Sequence, residues 1–246
     1  MASNLSTRAV RSACTASKAA PRSLVTLIPR RSLTSTPESS KQPPRWSYTP
    51  PRTMAPFRLR FDSGRPEYNV NADPAVLDQF YIRMLGEKGD QVLSDELKWL
   101  AVTHKSFDQG RRGFNDRLAF LGKRIVQVQA SLALVQNPST ASTTPTKDDF
   151  GRTPFTHPAL DGLKNLSGAT KGALTDRTKL AELAQRYKLL EVLRWAPKTP
   201  GNLRASGSEL VLAHTLYAII GAISLEKGGH VANQVARERI LKPLGF

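Results

Sequence analysis

The chain has 246 residues, enough for one domain of ordinary size with extensions, and 39% of them are hydrophobic, enough to build a buried core. Lys and Arg outnumber Asp and Glu by 36 to 20, giving a formal net charge of +16 and a pI near 10.4; that balance favours a polyanionic partner, most commonly nucleic acid. Cys14 is the single cysteine, so a disulfide framework or a cysteine zinc site is excluded.

From Met1 to Thr36 there are six Lys or Arg and no acid before Glu38. Arg8, Arg11, Lys18 and Arg22 lie among Ser, Ala and Thr, the pattern of a mitochondrial presequence. Arg30-Arg31-Ser32-Leu33 resembles a processing site, so residues 1–33 are expected to be removed. A basic RNA-binding arm is the competing reading. Without residues 1–33 the chain keeps +10. No secretory signal is visible: the apolar run at residues 23–29 is short and no small-residue cleavage site follows it. Residues 34–72 read as a basic arm, with Pro37, Pro43, Pro44, Pro50, Pro51 and Pro56 blocking helix. Its Trp46, Tyr48 and Phe57 can stack on bases or pin the arm to the domain.

Residues 73–246 read as an all-α domain, because no stretch sustains a two-residue alternation. Asp73 caps a first helix that has Pro74 at its first position and carries Val76, Leu77, Phe80, Tyr81 and Leu85. Ser94 is placed to cap a second helix, with Leu97, Leu100, Ala101 and His104 on one face. A third runs over 115–136 on a stripe of Leu118, Leu121, Ile125, Val128, Leu132 and Val135. Residues 138–172 form a Ser/Thr/Pro/Gly-rich insertion with a short helix near Pro158 to Leu166; a link this long is functional or disordered. Helices over 176–195, 208–227 and 231–241 follow. The most apolar segment, Leu210 to Leu225, has 16 residues and contains His214. A membrane span needs about 20, so a buried helix is the better reading.

Four blocks carry a family resemblance. Leu100-Ala101-Val102-Thr103-His104-Lys105-Ser106 comes first, then Asn115-Asp116-Arg117-Leu118-Ala119-Phe120-Leu121-Gly122-Lys123. Lys179-Leu180-Ala181-Glu182-Leu183-Ala184 and Leu212-Ala213-His214-Thr215-Leu216-Tyr217-Ala218-Ile219-Ile220-Gly221-Ala222-Ile223 complete the set. Each block is weak alone, but in this order they resemble ribonuclease III over roughly Leu97 to Gly229. The resemblance implies an all-α, ribonuclease III endonuclease-domain-like helical bundle. It also implies that the helix from Asn115 carries a dimer interface, with Phe114, Phe120 and Leu121 as candidates.

Active members of that family cut double-stranded RNA with magnesium held by four carboxylates, a pair on each of two helices. The matching positions here are Ala119, Lys123, His214 and Tyr217. Ala119 has no ligand atom, Lys123 places a cation where the metal belongs, and neutral His and Tyr are poor ligands for a hard cation. Asp116 stands at the pattern's first acid but does not rebuild the site. The resemblance therefore implies a kept scaffold without nuclease activity, metal or cofactor. His214 and Tyr217 read more simply as core side chains, and His104 with Ser106 as part of a structural block.

With the last block so close to Phe246, the double-stranded-RNA-binding domain of bacterial members is not expected. With the presequence and basic arm, these departures make the chain similar to the ribonuclease III-like structural proteins of the fungal mitochondrial large ribosomal subunit. The expected partners are ribosomal RNA, other mitochondrial ribosomal proteins and a second ribonuclease III-like chain, with self-pairing the second choice. The expected RNA contacts are phosphate contacts spread over Lys41, Arg45, Arg52, Arg58, Arg60, Arg111, Arg112, Arg237, Arg239 and Lys242. The alternatives are a mitochondrial ribonuclease III completed by a partner chain and an RNA-processing adaptor acting on double-stranded RNA.

Overall fold

Residues 44–54, 68–136, 149–152, 155 and 157–245 are described by a computed structural model, and all of them fall in one compact unit spanning residues 42–246. The expected presequence and the positions Lys41, Phe57, Arg58 and Arg60 lie outside the described residues.

Among the described residues, eight α-helices follow in order: α1 (Pro74–Leu85), α2 (Asp95–Val102), α3 (Asp116–Gln136), α4 (Gly168–Leu174), α5 (Arg177–Arg186), α6 (Leu189–Val192), α7 (Ser208–Lys227) and α8 (Gly229–Val235). Among the described residues the only β feature is an isolated bridge between Thr103 and Arg194. The all-α reading holds.

Helix α7 is the axis of the fold. It is apolar on every side and buried from Val211 to Ile223 apart from His214, so it needs neighbours all round. Helices α3, α5, α2 and α8 supply them. The α3 crossing is the tightest. A Cβ added to Gly122 would sit 1.8 Å from the Tyr217 carbonyl oxygen, and one added to Gly221 would sit 2.1 Å from the Leu118 carbonyl oxygen. Only glycine at both places lets the backbones meet. The far end of α3 adds a small second cluster of Ala130, Leu134, Leu174 and Leu241.

Helix α1 begins as expected, with the Asp73 carboxylate accepting from the Ala75 amide. Helix α2 does not. Ser94 makes no side-chain cap; instead its amide donates to the Glu226 carboxylate at the far end of α7. Helix α2 also stops at Val102, so His104 lies in the turn beyond it.

The single helix expected over 176–195 is three pieces. Helix α5 ends at Arg186, Lys188 takes a left-handed conformation (φ 59°), and α6 runs only to Val192. Leu193, Arg194 and Trp195 are then extended and buried, with the Arg194 amide bonded to the Val102 carbonyl. Periodicity missed the break because Leu189, Val192, Leu193 and Trp195 are all buried, which a straight amphipathic helix cannot achieve. The last helix also differs. Helix α8 starts at Gly229 and passes into a π-helical turn, Ala236–Leu241, and a 3₁₀ turn, Lys242–Leu244. Within the insertion, Pro158–Asn165 is a 3₁₀ helix and α4 follows it, capped by Ser167 and Thr170.

Candidate functional site

One end of the α3–α7 pair opens into a cleft of about 800 Å³, walled by the first half of α3, the start of α7 and the α4–α5 junction. Residues four apart, or three apart, share one face of a helix. Ala119 and Lys123 on α3 and His214 and Tyr217 on α7 therefore all line this cleft. The four positions separated in sequence are brought to one place.

The chemistry there is not that of a metal centre. Ala119 is buried and Tyr217 nearly so, and burial pushes the Tyr217 phenol up to about 12, so it stays protonated. His214 Nε2 lies 3.0 Å from Asp116 Oδ1. Burial lowers the His214 pKa while Asp116 works against that loss. The neutral ring donates its Nε2 proton, since a carboxylate can only accept. His104 packs edge-on against His214, with centroids 5.9 Å apart. Burial, followed by His214, pushes the His104 pKa down to about 4. Its Nδ1 accepts from the Ser106 amide at 3.2 Å, while Ser106 Oγ accepts from the Ala196 amide at 3.0 Å. Ser106 Oγ also lies 2.9 Å from His104 Nδ1, and the pair ties the turn after α2 to the segment after α6.

Asp116, the remaining acid at the α3 start, is already held by His214 and lies 3.7 Å from Lys105 Nζ. Among the described residues, no three His, Cys, Asp or Glu side chains gather as a metal would require. The donor set of a lysine ammonium, a neutral histidine, a phenol and a methyl group does not fit magnesium, which takes oxygen ligands.

Asn115, wholly buried, positions the start of α3. Its Nδ2 donates to the Ala101 carbonyl at 2.9 Å, and its backbone amide donates to the Thr103 carbonyl at 3.0 Å. The helix carrying the cleft is thereby fixed to the end of α2.

The arm is pinned to the domain. Trp46 stacks on buried Trp99 at 4.6 Å. The guanidinium groups of Arg112 and Arg194 both donate to the Trp46 carbonyl, at 3.2 and 3.4 Å. Arg194 lies over Phe107 and Trp99, 4.6 and 5.0 Å from their ring centres. Burial, then Arg112, lowers the Arg194 pKa to about 10. Asp108 ties the group together by accepting from the Thr49 hydroxyl and from Arg111. Burial raises the Asp108 carboxyl, but Thr49, Arg111 and Arg112 outweigh it and hold it below its ordinary value. Nothing in the sequence singles out Arg194, because a cation inside an apolar helix pattern reads as its solvent edge.

The proposed phosphate contacts divide in the same way. Arg45, Arg52 and Lys242 are exposed. Arg111 and Arg112 instead hold Asp108 and the arm. Arg237 donates to the Gln129 side chain, and Arg239 donates to the Leu85 carbonyl at 3.0 Å.

The three candidate interface residues also separate. Phe120, 66% exposed, lies at the cleft with Arg124 over its ring. Leu121, Val128 and Leu132 fall on the opposite, outward side of α3, given 100° per residue, and Phe114 stands two residues before that helix begins. Leu121 is half-buried and the other three are exposed.

A helical bundle built on a glycine-sealed α3–α7 pair, with a cleft at the end of that pair in which Ala119, Lys123, His214 and Tyr217 offer no carboxylate, defines a class: a ribonuclease III-like scaffold without a metal site at those positions. The chain belongs to the ribonuclease-III-like family, whose sequence model matches residues 94–244. It is 49% identical over 211 residues to the large ribosomal subunit protein mL57 of Neurospora crassa, covering 84% of this chain and 78% of that one. It is 35% identical over 162 residues to ribonuclease 3 of Pseudomonas fluorescens, covering 65% of this chain and 57% of that enzyme. The nuclease domain of ribonuclease III from Campylobacter jejuni superposes with a TM-score of 0.49 at 22% identity, over 69% of this chain and 96% of that domain.

Proposed function

We propose that this chain is a non-catalytic structural protein of the mitochondrial large ribosomal subunit. The observation that carries the reading is the pairing of 49% identity along 211 residues to a large-subunit protein with a cleft whose four former ligand positions offer no carboxylate. The scaffold is kept because its role is to be a shape. Ribosomal RNA is bound through phosphate contacts from exposed cations such as Arg45, Arg52 and Lys242, with Lys41, Arg58 and Arg60 of the arm contributing. Contacts of this kind give affinity without reading sequence. The outward apolar side of α3, with Phe114 and Leu121, pairs with a second ribonuclease III-like chain. Residues 1–33 direct import and are removed.

Sedimentation in high salt tests the reading. The chain should travel with the large subunit, and purified chain should leave duplex RNA intact in magnesium. Cleavage at rates near those of an active ribonuclease III, or absence from the large-subunit fraction, would overturn it. A second test titrates salt against binding of a ribosomal RNA fragment. Affinity should fall steeply as salt rises, and deleting residues 41–60 should cost far more than neutralising any one cation.

A further inference from the structure

Two cations and two exposed apolar side chains share the cleft. Lys123 and Arg177 are both exposed, both line the cleft, and neither has an acidic partner among the described residues. Phe120 and Leu210 stand at the same cleft, 66% and 46% exposed. Isolated exposed apolar residues need no explanation, but two beside unpaired cations on one concave surface do.

The three acids of the cleft are already engaged. Asp116 holds His214, Glu209 pairs with Arg204 at 2.9 Å, and Asp176 accepts from the Thr178 hydroxyl. The Thr178 bond, foremost, keeps the Asp176 carboxyl below its ordinary range, so it is charged at neutral pH. Arg204 offsets Glu209 and Lys105, 3.7 Å from Asp116, offsets that carboxylate, so Lys123 and Arg177 face Asp176 alone. Successive phosphates of a nucleic acid would need more than these two cations and find no group suited to the apolar rim. A single carboxylate beside an apolar side chain fits better. It reaches Lys123 and Arg177 while its neighbour covers Phe120 and Leu210, and a largely desolvated carboxylate–guanidinium contact is one of the stronger polar contacts available.

We propose that the cleft is a docking groove for a segment of a neighbouring protein carrying an acidic and an apolar side chain close together. This rests on the reading that the chain sits in a ribosomal subunit. Where a catalytic family member would hold a metal, the Lys123 ammonium recruits a carboxylate.

The test uses purified mitochondrial large subunits and, in parallel, the isolated chain. Both are treated with acetic anhydride, which acetylates free lysines, and with a carbodiimide, which joins an ammonium directly to a carboxylate it touches. In the subunit, Lys123 should acetylate about tenfold more slowly than in the isolated chain, the ratio that a contact of about 1.4 kcal/mol gives. Mass spectrometry should find Lys123 joined to an Asp or Glu of a different polypeptide. Equal reactivity in subunit and free chain would overturn the proposal. So would protection without a protein crosslink, or recovery of the Lys123 peptide on RNA after ultraviolet irradiation. Absence of the chain from the subunits would instead overturn the ribosomal reading, so the two failures are told apart.

Discussion

Helices α3 and α7 meet twice, and the two meetings obey different rules. At Gly122 and Gly221 they touch backbone to backbone, with no room for a methyl group on either side. On another face and within two turns, at Ala119, Lys123, His214 and Tyr217, the same helices part to line a cleft. The first place is governed by shape and tolerates nothing larger than hydrogen. The second is governed by charge, and none of its four positions offers a carboxylate to magnesium. Packing and cleft chemistry are therefore separable demands on one helix pair: the seam is intact beside four positions without carboxylates, whereas one methyl group at the seam would not leave the cleft intact.

The seam is the place to break that comparison. Gly122→Ala or Gly221→Ala drives a Cβ into a carbonyl oxygen that belongs to the partner helix and cannot rotate away. Overpacking of this kind should destabilise the chain by about 3 kcal/mol or more, read as a drop in the urea midpoint. Wild-type stability in either variant would mean that the helices separate freely. The arm ranks next. Trp46→Ala removes the ring stacked on Trp99 and leaves the backbone carbonyl that Arg112 and Arg194 bond without that anchor. Stability should fall by about 2 to 3 kcal/mol. The near-ultraviolet circular dichroism of the stacked pair should vanish as well.

Much of the shape was legible in the sequence and little of the wiring. The stripe from Leu118 to Val135 and the apolar run around His214 mark α3 and α7, because a helix buried on one face or on all faces must repeat apolar residues at its own period. The spacings 119/123 and 214/217 place four side chains in one cleft for the same reason. What stayed hidden depends on contacts between distant segments. Ser94 resembles a cap until Glu226, 132 residues later, takes its amide. Lys188 breaks a helix that periodicity would continue, because the chain turns to bury Leu193 and Trp195. Arg111, Arg112, Arg237 and Arg239 look like free cations, and only their partners Asp108, Gln129 and Leu85 reveal them as internal ties. The assignment of Phe120 to the cleft, away from Phe114 and Leu121, likewise needed the helix placed against its neighbours.

The cleft end of the pair has a pH signature that the seam lacks. His104 is held near a pKa of about 4 by burial and by His214 beside it, against an ordinary value of 6.5. The fold favours the neutral ring, so between pH 6.5 and 4 the unfolded chain binds more protons than the folded one. The stabilisation is full above pH 6.5 and is lost as the pH falls through that window. Its size is on the order of 2 kcal/mol. His214 is shifted in the same direction and adds to the slope. Urea unfolding at pH 7 and pH 4.5 measures the loss, and His104→Gln should remove most of it. A pH-independent midpoint in the unmodified chain would show that these rings titrate as freely in the fold as outside it.

The smallest effect is expected at Lys123, and its smallness sharpens the comparison most. Lys123 is exposed, touches no acid among the described residues, and sits in an open cleft where water screens its charge. Lys123→Glu creates no buried charge and removes no packed atom from the seam, so stability should change by less than about 0.5 kcal/mol. The direction is set by two opposing neighbours. The new carboxylate would relieve His214, which Lys123 now disfavours in its charged form, and would repel Asp116 on the same helix. Raising the His214 pKa is therefore the expected local trace, visible as a shift in its imidazole proton resonances with pH. Magnesium-dependent cleavage should not return, because one carboxylate replaces one of four ligands and Ala119, His214 and Tyr217 still contribute none. A stability loss comparable to that of Gly122→Ala would place Lys123 in the seam's steric system and dissolve the distinction between the two ends. A measurable nuclease would mean the cleft had kept a latent metal site.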